Sequence, residues 1–327
     1  MFLWRPIAGV LLALLVFETV LRHLSFGHVT LDPIVGWVWR STTVVHRLGE
    51  GWGISHWRDD ESREHTAVAA DAPRVLFLGD SFTEALQVDD DEVFSARLSN
   101  VNALNIGQSG HSAADYVAFA SEYRTRFHPE WTVIELAPPD LGDDAFNASK
   151  THFDAGLETR VIILPGSGGR ITGLLTPLRR RSDAVDYGLS RWHDYSSGAK
   201  MPPLFRAADE ETRPSEPKPA ASVTWPVAAE MARLRDAYGG RVTFLFLPEF
   251  KGRPSGVEAA FMAACGNDRL SCVNLRVTFD GFRQRGDAPS GFPNSTFGEG
   301  HLNARGHAAA AQLLQSEIER LRARGLF

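Results

Sequence analysis

Two short segments hold the residue types of acyl transfer. Gly79-Asp80-Ser81-Phe82-Thr83 places a serine directly after the apolar run Val75-Leu76-Phe77-Leu78. A serine hydroxyl is a weak nucleophile at neutral pH and needs a neighbouring base. Glu299-Gly300-His301-Leu302-Asn303, close to the C-terminus, offers one. His301 would take the proton from Ser81, and Glu299 would orient the imidazole and stabilise its charged form. Each residue also has a plainer reading: Ser81 as a helix cap, His301 as a packing residue at a helix entry, Glu299 as a solvated loop acid.

These residues act together only if the fold brings them together. Val75–Leu78 is continuously apolar, as suits a strand buried on both faces of a parallel sheet. Further strands are predicted over Val101–Ile106, Trp131–Leu136, Arg241–Leu247 and Ser271–Leu275. Between and after them, helices are predicted over Glu92–Leu98, Ala113–Phe127, Val227–Tyr238, Ser255–Ala264 and Ala304–Ala323. The alternation predicts a helix-flanked parallel sheet: an α/β fold, flavodoxin-like, in three α/β/α layers around five strands. Ligands of such sheets bind beyond the carboxyl ends of the strands, where Ser81 falls. Three parts are expected: residues 1–24 as membrane anchor or signal, 25–70 as an irregular lead-in, and 71–327 as the main domain with an insertion at 141–240. Within the insertion, Glu158–Leu164 with Arg170–Leu175 reads as a hairpin and Leu178–Trp192 as a helix.

In these segments the chain resembles the SGNH (GDSL-type) hydrolases. Gly79-Asp80-Ser81-Phe82-Thr83 is similar to their first block, with Ser81 as the nucleophile. Asn105-Ile106-Gly107-Gln108-Ser109-Gly110 resembles the second, which places Gly110 as a backbone oxyanion donor beside the N–H of Ser81. The stretch Glu299–His307 resembles the final block, with His301 as its histidine. The lead-in resembles that of membrane-anchored members associated with envelope polysaccharides. Two departures stand out. Pro139 occupies the place of the third block's oxyanion asparagine, and proline has neither a side-chain donor nor an N–H. Gly298 stands three residues before the histidine, where most members carry aspartate, and Glu299 two residues before it, where some branches do.

Other residues admit two uses. Asp140 either binds substrate or caps its turn, and His111 either lines the cleft or sits on an exposed loop. His307 reads as a packing residue. No His-Glu-x-x-His pattern or spaced cysteine set is present, so no metal is expected, and no phosphate-binding loop or cofactor is expected either.

Composition bounds the rest. The chain has 327 residues, 43% hydrophobic and 23% charged, and a net charge of −6. That balance excludes a disordered chain and argues against nucleic acid as a partner. From Pro6 to Phe17 the sequence is uncharged, short of the ~20 residues needed to span a bilayer. Glu18 near an interface would extend it to a signal-anchor; a cleaved signal and a buried helix are the alternatives. Export would favour a disulfide between Cys265 and Cys272, the two cysteines. The function expected from the sequence is an extracytoplasmic (periplasmic) serine esterase or O-acyl (acetyl) transfer enzyme. Its substrate would be an acylated carbohydrate or small ester, and its membrane contact the N-terminal segment. The alternative, motivated by Pro139, is a catalytically impaired binding or assembly protein of polysaccharide metabolism.

Overall fold

The computed structural model describes residues 4–24, 29–32, 35–39, 44–46, 50–64, 71–141, 182, 184–185, 227–250, 254–266 and 270–327. The hairpin and helix expected at 158–192 lie outside them, apart from isolated positions.

The centre is a five-stranded parallel sheet. In chain order its strands are β5 (Arg74–Leu78), β6 (Asn102–Asn105), β7 (Trp131–Leu136), β8 (Val242–Phe246) and β9 (Ser271–Asn274), preceded by four short strands of the lead-in. The spatial order is β6-β5-β7-β8-β9. Leu76 of β5 pairs with Leu104 of β6 and Thr132 of β7, and Leu136 pairs with Phe246 of β8. The order reverses at β5, so the β5–β7 boundary is the switch point where a crevice opens at the carboxyl ends.

Alternate residues of each strand feed opposite faces, and both faces are covered. Leu76, Leu78, Ile134, Leu136, Phe244 and Phe246 pack with helices α3 (Ala113–Phe127), α4 (Val227–Ala237) and α5 (Gly256–Cys265). Val75, Phe77, Val133, Leu245 and Val273 pack with α6 (Arg276–Gln284) and α7 (Ala304–Ala323). This two-sided burial is why Val75–Leu78 of β5 reads as an apolar run with no alternation. Local chemistry sets the helix ends. Ser112 and Asp115 form a capping box on α3, and His128 closes it in the left-handed conformation before Pro129.

The helix expected over Glu92–Leu98 does not form. A single 3₁₀ turn at Asp90–Glu92 ends in extended backbone at Val93, and the N–H of Phe94 goes to Nδ1 of His307. Helix α6 was not expected; its segment, with scattered apolar positions, follows directly on β9.

The lead-in is more regular than expected. It forms two antiparallel pairs, β1 (Val29–Asp32) with β2 (Gly36–Trp39), and β3 (Val44–His46) with β4 (Ile54–His56). Val35 and Val38 enter the main core, and Trp39 stacks on Trp57 with ring centroids 5.5 Å apart. Helix α1 (Trp4–Leu24) precedes it, with Ile7, Val10, Leu11, Leu12 and Leu15 exposed. Among the described residues no helix is long and apolar enough to cross a membrane, so α1 does not meet the requirement for the expected spanning segment. Cys265 and Cys272 form a disulfide joining the end of α5 to β9.

Candidate active site

Ser81 begins the one-turn helix α2 (Ser81–Glu84) immediately beyond β5. Asp80 precedes it and caps the turn, accepting from the N–H of Phe82 at 2.8 Å. Beneath the turn lies the fully buried Glu135 of β7, whose Oε2 accepts from Thr83 Oγ1 at 3.1 Å and from the N–H of Asp80 at 3.3 Å. A Cβ at Gly79 would stand 2.0 Å from Thr83 Oγ1 and 2.5 Å from that carboxylate oxygen, so only glycine lets the chain turn this closely over β7. Burial drives the Glu135 carboxyl well above its ordinary range, and the charges of Asp80 and Asp140 push it further up. Asp80 is also raised, chiefly by burial, with its hydrogen bonds and the His301 charge opposing the shift.

His301 arrives on the loop before α7. The loop is pinned by Gly291 N–H to the carbonyl of His301, Asn303 N–H to the carbonyl of Pro289, and Asn303 Nδ2 to the carbonyls of Ala288 and Gly291. Asn303 also caps α7. Held this way, the His301 Nε2 lies 2.8 Å from Ser81 Oγ. The sequence placed these two residues together, and the structure does the same.

The acid on the far side of the imidazole is not the expected one. Glu50 of the lead-in places Oε2 2.7 Å from His301 Nδ1, and its Oε1 accepts the N–H of His301 at 2.9 Å. Glu299 is exposed, and its N–H closes a turn onto the carbonyl of Thr296. The reason is steric as much as electrostatic. Gly300 has φ +71°, and a Cβ there would meet Glu50 Oε1 at 2.1 Å. The glycine that separates Glu299 from His301 thus leaves the gap that Glu50 fills.

Glu50 is delivered by close backbone approach. The added Cβ of Gly51 would fall 2.2 Å from the carbonyl oxygen of Gln87, and that of Gly53 2.4 Å from Val88 N. Asn294 exchanges two hydrogen bonds with the backbone of Gly51, tying the lead-in to the His301 loop. Arg63, 1% exposed, anchors the other end. Its guanidinium donates to the carbonyls of Glu84, Ala85 and Val88 and to the carboxylate of Asp90, at 2.6–2.8 Å. The signals for this in the sequence are the spaced glycines around Glu50 and an arginine in a polar stretch; neither names a partner.

Gly110 sits at the third position of a turn closed by His111 N–H to the carbonyl of Gln108, with φ +83°. A positive φ there is what a type II turn demands. The Gln108 N–H donates to the carbonyl of Gly79 at 2.9 Å, so this turn is tied directly to the Ser81 turn. Pro139 lies exposed in a 3₁₀ turn after β7 and adds no donor. Asp140, expected as a substrate contact or a turn cap, is buried and accepts the N–H of Ala137 at 2.6 Å, which is the cap. The partly buried His111 packs against Phe119, with ring centroids 5.5 Å apart. His307 is buried and stacked on Phe94, with its pKa pushed down to about 3, first by burial and then by Arg63.

A cavity of about 560 Å³ opens at the other end of the sheet, around Arg124, His128, Trp131 and Arg241. Ser121 and His128 also line it, but the hydrogen-bonded Ser81–His301 pair lies at the carboxyl ends of the strands instead. Among the described residues no cluster of histidine, cysteine or acidic side chains is arranged for a metal ion.

No family model and no curated protein matches the chain. Solved structures similar to it include a two-domain esterase active on acetylated mannans, with 12% identity and a TM-score of 0.40 over 77% of this chain and 50% of that one, so this chain spans half its length. Another is a member of the lipolytic G-D-S-L family from Veillonella parvula, with 12% identity and a TM-score of 0.40 over 76% and 99%. A third is a catalytic mutant of an acetylxylan esterase from Geobacillus stearothermophilus, with 12% identity and a TM-score of 0.40 over 76% and 95%.

Proposed function

We propose that the protein is a serine esterase or O-acyl transfer enzyme, of the SGNH type suggested by its sequence blocks, acting on an acylated carbohydrate outside the cytoplasm. The observation that carries the reading is the unbroken line from Ser81 Oγ through His301 to Glu50, with hydrogen bonds of 2.8 and 2.7 Å. It combines a nucleophile, a base and an orienting acid at the mouth of the sheet.

The chemistry follows from that line. Ser81 Oγ attacks the acyl carbonyl while His301 Nε2 takes its proton, and Glu50 stabilises the imidazolium through Nδ1–H. The N–H groups of Ser81 and Gly110 receive the oxyanion. Collapse expels the alcohol, which takes its proton from His301, and leaves an acyl-Ser81 ester. Water or a sugar hydroxyl then attacks that ester with His301 again as base, releasing free acid or a new ester. Exposed aromatic rings on the two segments that deliver Glu50 and His301, Trp52 at 60% and Phe297 at 61%, support a sugar-bearing substrate, because pyranose rings pack on such faces.

Export is supported by the Cys265–Cys272 disulfide, a bond that persists in oxidising compartments. Membrane contact is supported by the exposed apolar side chains of α1. The test is acetate release from a panel of acetylated glycans, with and without added acceptor sugar. Release by the wild type and its loss in Ser81→Ala is the expected result. Equal release by the variant, with both proteins folded, would overturn the mechanism.

A further inference from the structure

Glu84 closes the nucleophile helix α2, is 3% exposed, and takes no part in the triad. Its two oxygens face different segments. Oε1 accepts from the indole Nε1–H of Trp39 in the lead-in at 2.7 Å. Oε2 accepts from the backbone N–H of Ser109 at 3.2 Å and also from the Ser109 hydroxyl. The main chain of the same residue is gripped by Arg63, which donates to the Glu84 carbonyl at 2.7 Å. Ser109 directly precedes Gly110, in the turn tied to Gly79 through Gln108.

We propose that Glu84 is a positioning residue: one buried carboxylate that sets the oxyanion turn through Ser109 and locks it to the docked lead-in through Trp39. This deepens the serine-hydrolase reading and rests on it. The physical case is that an oxyanion donor works only when held where the charge will develop. The Gln108–His111 turn has a glycine at its apex with open space around it, since an added Cβ at Gly110 would meet nothing within 4 Å. No side chain presses on the Cβ side of Gly110, so the bonds from Gln108 to Gly79 and from Ser109 to Glu84 are what tie this part of the turn to the Ser81 helix. Charge-assisted hydrogen bonds of this kind are about twice as strong as neutral ones. The segment that supplies Glu50 to His301 also supplies Trp39 to Glu84, so docking of the lead-in completes both halves of the site.

The test compares Glu84→Gln, Ser109→Ala and the double variant, in the full chain, by aryl acetate hydrolysis and by amide hydrogen exchange over residues 106–112. Glutamine keeps the shape but leaves one carbonyl oxygen for two sets of donors. Each single variant is expected to lower kcat by about 10-fold with KM within about twofold, and the double variant to lose no more than the worse single. Removing an oxyanion donor outright costs roughly 10²–10³, so a loosened one should cost less. Exchange at Ser109–His111 should accelerate in Glu84→Gln. Unchanged kcat and exchange in an active enzyme, or losses that multiply in the double variant, would overturn the proposal. If the wild type turns over no ester, the hydrolase reading fails, and the exchange measurement still decides whether Glu84 holds the turn. Ser109 is exposed, so its alanine variant keeps the test valid should Glu84→Gln fold poorly.

Discussion

Replacing Glu50 by glutamine separates this site from the one the sequence suggests. Glu50 makes two contacts with one residue, 2.7 Å to His301 Nδ1 and 2.9 Å to its N–H. The amide fits the same space beside Gly300 but carries no charge to match the imidazolium formed during attack. Its NH₂ facing Nδ1 would also favour the tautomer with the proton on Nε2, which cannot accept from Ser81. In a serine triad the equivalent acid-to-amide change lowers kcat about 10⁴-fold, or roughly 5.5 kcal/mol. Glu50 and His301 keep 22% and 24% side-chain exposure, so solvent shares in screening, and we expect a loss of about 10²–10⁴. The assay is aryl acetate turnover against pH, with thermal unfolding as the control for folding. Glu299→Gln, measured alongside, should stay within about threefold of wild type. A Glu50→Gln enzyme within tenfold of wild type, or a larger loss in Glu299→Gln, would refute the assignment.

Removing residues 1–29, so that the chain begins at Thr30, should retain turnover, whereas beginning at Asp71 removes Glu50 and Arg63 and should abolish it; hydrolysis by the shorter chain would contradict the placement of Glu50. Pro139→Asn should raise kcat by up to about 10-fold if position 139 can add a third oxyanion donor, with steady-state kinetics as the check and no change as the contrary result. Stability should fall on both sides of mildly acidic pH, as followed by thermal unfolding. His307 stays neutral in the fold down to about pH 3, while the unfolded chain protonates it near 6.5, so stability is lost as pH falls through that window, at about 1.4 kcal/mol per unit. Glu135 and Asp140 have raised folded pKa values, so the unfolded chain releases their protons first and stability falls as pH rises above the ordinary carboxyl range. Glu135→Gln should therefore raise Tm more at pH 8 than at pH 5, and the reverse order would refute that sign.

The sheet was legible because its central strands are buried on both faces: Val75–Leu78 is apolar without interruption, and Trp131–Leu136 is buried throughout with only Thr132 and Glu135 polar, and so short a run between turns suits a strand. Helix α3 announced its end through His128-Pro129, whereas the caps at Ser112 and Asn303 come from the structure. Ser81 was legible from residue type and its position at a strand end, and His301 from residue type and its position just before the last helix. Glu50 was not, because nothing local distinguishes an acid that will meet a histidine across the fold, and Glu299 lay nearer in sequence. The lead-in strands escaped for a related reason. They are three or four residues long and stabilised by contact with the main domain, through Val35, Val38 and Arg63.

The most direct test of the account is covalent labelling by a fluorophosphonate, mapped by peptide mass spectrometry. The account predicts modification at Ser81 in the wild type, none in Ser81→Ala, and strongly slowed modification in both His301→Ala and Glu50→Gln. A folded wild-type protein that stays unmodified at Ser81, or one that labels at the same rate without His301, would contradict it.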